Sequence, residues 1–157
     1  MIRVVVLAAS IFGWAAALGA HPVHIPATWK CIDAGRFSFW APPGVVPAPL
    51  RGRPVDSYVG EYRGHQLFLS FDYGPYSSSL QTPGDNLRSH DELIDGRAAR
   101  LVSYTAAPNG DFAWPNFVAV HFPKTQEHGM RLTMYASCGS ALSCREAEQI
   151  FRSIRFP

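Results

Sequence analysis

No block of like-signed charge, no low-complexity tract and no internal repeat interrupts this 157-residue chain. Its 14 basic and 12 acidic residues are interspersed, leaving a formal net charge of +2. A nucleic-acid partner requires a clustered basic face and a membrane surface a polybasic patch, so this scatter supports neither. Catalytic signatures are also missing: there is no G-x-S-x-G, no phosphate-binding glycine loop, no C-x-x-C and no H-E-x-x-H. Their joint absence lowers the expectation of an enzyme, and a small exported hydrolase with an unrecognised site stands only as an alternative.

Cysteine is scarce. The three are Cys31, Cys138 and Cys144, which allow three pairings, each leaving one thiol over. Cys138–Cys144 is preferred, because a strand ending at one and a helix opening near the other need only a short reversal between them. A Cys31 pairing with either is the alternative. Cys144 near a helix N-terminus would have a lowered thiol pKa, yet no base accompanies it as a nucleophile would require.

Charge is almost absent from "MIRVVVLAASIFGWAAALGA", residues 1–20, where Arg3 stands alone before an apolar run that closes on Gly19 and Ala20. That layout predicts a secretory signal peptide. Cleavage is expected after Ala20, with a cut after Ala17 as the rival. A retained anchor is disfavoured, since no basic stop-transfer cluster follows. Thr28, Trp29 and Lys30 before Cys31 are the wrong context for lipid attachment. The expectation is a periplasmic or secreted protein with no membrane anchor after cleavage. What remains is long enough for one modest core, burying roughly two-thirds of its unfolded surface.

Residues 21–35 read as a leader or loop, and 36–157 as a single α+β domain. "RFSFWAP" is the first strand candidate, with Phe37 and Phe39 on one side. "GVVPAPLRGRP" reads as an extended loop because three prolines break it. "SYVGEY" and "HQLFLSFDY" form a hairpin turning at Arg63-Gly64, with Leu67, Leu69 and Phe71 on one face and Phe68, Ser70 and Asp72 on the other. Residues 73–89 read as the longest loop. "HDELIDGRAARLVSY" is a second hairpin about Asp95-Gly96, and "APNGD" turns the chain into "NFVAVHF" and then "MRLTMYA". At the end Ser143 and Glu146 match a capping box. Ala147, Ile150, Phe151 and Ile154 follow at helical spacing. The expected fold is an antiparallel meander sheet of about six or seven strands with a C-terminal helix packed on one face.

"RFSFWAPP" near the start, "ELIDGRAARL" in a hairpin and the closing "IFRSIRF" together resemble small exported bacterial proteins with a PsbP/Mog1-like fold. The resemblance implies an α+β domain in a binding or accessory role. It carries over no catalytic residue.

Three constellations bear on chemistry. In "SFDYGPYSSSL", Asp72, Tyr73 and Tyr76 lead from a strand into a loop, and tyrosines offer contact area with little entropy loss. Packing at a sheet edge explains the same residues. These three are the expected ligand-binding residues if there is a contact surface. In "HPVH", a cut after Ala20 would give His21 a free amine to chelate copper, with His24 as a second imidazole. Two solvated histidines in a leader are the plainer reading, so no cofactor is expected and copper is the alternative. In "HDELID", His90, Asp91, Glu92 and Asp95 suggest acid–base work, but neighbours on a strand point to opposite sides. Charge on an edge strand that discourages aggregation explains them better. His121, inside an apolar alternation, reads as a satisfied core or strand-edge residue. The function expected is a non-catalytic binding or accessory protein of the bacterial envelope, engaging another protein or a small ligand.

Overall fold

The computed structural model describes residues 23–50, 52, 55–80, 85–107 and 114–157. The expected signal peptide (1–20), His21 and most of the "APNGD" turn lie outside the described residues. Among the described residues, nine strands and one helix form in the order β1 (Lys30–Asp33), β2 (Ser38–Ala41), β3 (Val46–Ala48), β4 (Tyr58–Gly64), β5 (Leu67–Gly74), β6 (Asp85–Ile94), β7 (Arg97–Thr105), β8 (Asn116–Phe122), β9 (Arg131–Cys138) and α1 (Ala141–Arg152).

Strands β3 to β9 make one antiparallel sheet in the order β3-β4-β5-β9-β8-β7-β6, and β1 and β2 make a separate hairpin. The sheet is not one continuous meander. Two meandering runs, β3 to β5 and β6 to β9, are joined where β5 pairs with β9. Strands β5 and β9 are apolar enough to be buried on both faces and so take the middle. Charged β6 has only its last residue buried and takes the edge. After β5 the chain must therefore cross to the far side before β6 can start.

Several local expectations shift. Tyr73 and Gly74 belong to β5 and residues 85–89 to β6, so the connection expected over 73–89 spans only 75–84. Within 21–35 the chain already forms β1, and within the proline-rich stretch Val46–Ala48 pairs with β4 as a short edge strand. Pro47 is tolerated there because an edge strand leaves one side of its backbone unpaired. The first large hairpin turns at His65-Gln66, not Arg63-Gly64, because pairing continues through Gly64↔Leu67. The second hairpin turns at Asp95-Gly96 as expected, with both residues at positive φ (53° and 70°), as a two-residue hairpin turn demands.

The helix start also moves. Ser140 is the N-cap and Ser143 its reciprocal partner one turn in. Ser143 is buried and donates to the Ser140 carbonyl at 2.9 Å, so it sits inside the helix and cannot precede it. Ala147, Ile150 and Phe151 turn inward, and Ile154 follows them into the core just past the helix end. The amphipathic helix lies on the face made by Leu67, Leu69, Leu101, Val118, Val120, Leu132 and Met134. The β1–β2 hairpin lies beside it, bridged through Ser38 and Arg155. Ser153 ties the two further, accepting from the Trp40 amide at 2.8 Å. Phe37 packs edge-on against Phe71 with ring centres 4.9 Å apart, and Phe39 against Tyr62 at 5.4 Å. Glycine at position 60 leaves room for the Phe71 ring, into which any Cβ there would run.

Candidate functional site

Asp72, Tyr73 and Tyr76 do not share a surface. Tyr73 points into the core with none of its area exposed, and its hydroxyl meets Thr125 Oγ1 at 3.0 Å. Burial raises its pKa. The ring anchors the β8–β9 loop, which Arg36 clamps from outside through Glu127 (2.8 Å) and the Tyr58 hydroxyl (2.7 Å). Asp72 faces the opposite side of the sheet, where its Oδ1 and Glu61 Oε2 are enclosed without hydrogen-bond partners among the described residues. Tyr76, 80% exposed, stands clear of both.

Past Tyr76 the chain lies on the face away from α1. Ser77 is buried against Thr133, and Leu80 packs on Val102, Tyr104, Phe117 and Ala119. Thr133 faces away from α1 and is fully covered by this crossing. Its hydroxyl donates to the Ser78 carbonyl at 2.6 Å and has one proton to give. It must therefore accept from both Ser77 and His121, whose Nδ1 lies 2.9 Å away. That assigns the Nδ1–H form to His121. Burial, then Arg131 and Arg100, push the His121 pKa down, and the neutral ring is held as a structural donor.

The remaining polar candidates divide between engaged and exposed groups. Cys138 and Cys144 form a disulfide, leaving Cys31 free and exposed. His24 is exposed. Among the described residues no three His, Cys, Asp or Glu side chains gather closely enough to hold a metal ion. On β6, Asp91 pairs across the ladder with Arg100 at 3.0 Å, and Arg100 holds its carboxyl below the usual range. Register puts Arg88, His90 and Glu92 on the α1 side, opposite Ser103, Leu101 and Ala99. Glu92 takes Arg152 at 2.9 Å and His90 at 3.4 Å, and Arg152 also reaches Glu148 at 3.2 Å. This ion-pair ladder ties the end of the helix to the edge strand.

Beyond the ladder the helix and the edge strand border an open groove of about 630 Å³. Ser103, Thr105 and Asn116 lie along it, Arg88 and Asn86 come from β6, and Arg145 and Glu148 come from α1. Some floor groups are satisfied internally. Thr105 donates to the Asp85 carbonyl at 3.3 Å and Asn116 to the Cys138 carbonyl at 3.4 Å. Glu148 is committed to Arg152. Arg88 and Arg145 have neither hydrogen-bond nor ion-pair partners among the described residues. The disulfide fixes the wall, since Cys144 lines the groove next to Arg145 and is bonded to the last residue of β9. Sequence inspection read "HDELID" as an edge strand but missed this site, because the site also needs α1 beside that edge. The unmatched arginines 57 positions apart offered no local signal.

No family model and no curated protein matches the chain. What fold and groove define is a class: an antiparallel α+β domain, sealed on one face by a helix, with an open polar groove between that helix and one sheet edge. No helix among the described residues is long and apolar enough to cross a membrane.

Proposed function

We propose that this chain is an exported, non-catalytic binding domain of the bacterial envelope, of the PsbP/Mog1-like kind, and that the α1–β6 groove holds its ligand. The observation that supports this most is the groove itself. Its volume falls in the usual range for small-molecule sites, and its walls are a capped, disulfide-tied helix and a hydrogen-bonded strand. Rigid walls reduce the ordering cost of binding. The Cys138–Cys144 disulfide fits an oxidising compartment. The non-catalytic reading rests on what the reactive groups already do: His121 serves the Thr133 network and Cys144 is bonded.

The test is a backbone-amide NMR screen of the oxidised protein against a panel of small polar metabolites. Binders should shift Arg88, Ser103, Thr105 and Arg145 together. Shifts confined to 72–78 would move the site to the exposed Tyr76 surface, which the exposure of that residue favours as the second reading.

A further inference from the structure

Resting on that reading of the groove, we infer that its ligand is anionic: a small molecule carrying a carboxylate or phosphate group, held between Arg88 and Arg145. The polar balance of the site supports this. Arg152 is shared between the groove-lining carboxylate, Glu148, and Glu92, so with Arg88 and Arg145 three guanidiniums stand against two carboxylates. Arg88 and Arg145, one on each wall, make no ion pair among the described residues. Arg88 lies directly across the β6–β7 ladder from Ser103, and both line the groove. Guanidinium forks match the two oxygens of a carboxylate or the oxygens of a phosphate, and such charge-assisted bonds are about twice as strong as neutral ones. Like charges facing one another across a groove are mutually unfavourable, and an anion between them relieves that repulsion.

Citrate, inorganic phosphate and uncharged glycerol are the probes, titrated into the oxidised protein with amide shifts read at Ser103, Asn116 and Arg145. At least one anion should shift these amides saturably, and glycerol should not. Affinity should fall about tenfold for Arg88→Gln and again for Arg145→Gln, and should weaken as salt is raised. Both variants alter exposed side chains, so folding should be retained, as a thermal melt checks. A saturable citrate response with phosphate silent assigns carboxylate, and the reverse assigns phosphate. A third variant, Ser103→Trp, fills the groove without removing charge and separates the two failures. If metabolites found in the screen lose binding in Ser103→Trp but not in the arginine variants, the groove stands and the anionic inference is overturned. If neither anion shifts the groove amides, or glycerol does so equally, the inference is also overturned. If Ser103→Trp leaves the binding of every screened ligand intact, the groove reading itself falls.

Discussion

On one face of the sheet, α1 and the β1–β2 hairpin bury Phe37, Phe39, Ile150, Phe151 and Ile154 against a continuous apolar surface. On the other, the segment after β5 crosses the strands and is held by one leucine and a polar hub at Thr133. The first face is stabilised by area, which is non-directional and tolerates small rearrangements. The second depends on hydrogen bonds whose partners are already out of water, where an unmade bond is costly. The helix face therefore carries most of the stability, and the crossing face is specified by the protonation and geometry of a few groups.

The largest effect should come from Phe151→Ala on the helix face, a loss of about 3–5 kcal/mol by denaturant unfolding. A loss no greater than that from disturbing the Thr133 hub would erase the distinction between the faces. Reducing Cys138–Cys144 opens a short loop and should cost about 2–3 kcal/mol. Thermal melts with and without reductant measure it, and an unchanged melting temperature would mean that capping alone fixes the helix start. On the crossing face, Thr133→Val keeps the shape and removes the hub, stranding the Ser78 carbonyl and the two donors. About 1–3 kcal/mol should be lost, with hydrogen exchange rising over 77–80 first.

The same face should respond to pH. Because the folded-state pKa of His121 lies below its ordinary 6.5, the unfolded chain takes up a proton first. Stability should therefore fall as pH drops below about 6.5 and level off below the folded value. His121→Asn retains a donor for Thr133 without titrating, so the pH series should flatten in that variant. A parallel decline in both proteins would place the sensitivity elsewhere. The smallest effect belongs to Tyr76→Ala, within about 0.5 kcal/mol of wild type, since its ring is exposed and stabilises neither face.

The longer strands were largely legible because alternation is a local signal: "NFVAVHF" coincides with β8, and "MRLTMYA" overlaps β9. Asp95-Gly96 announced its turn through the same kind of short-range chemistry. Tyr73 was harder. Position at a strand end suits either a contact residue or a core anchor, and only the packing of Phe37 and Thr125 around it decided. The capping residue was ambiguous for a related reason, since Ser140 and Ser143 each sit three positions before a suitable partner.

Residue order alone determined that most of the longer segments pleat, that the last one coils and which side of each is apolar, because these follow from spacing over a few positions. Tertiary structure decided that β5 lies against β9 and that Arg88 and Arg145 line one open groove. Those outcomes depend on which strands must be buried on both faces, a competition among distant segments that no local pattern encodes.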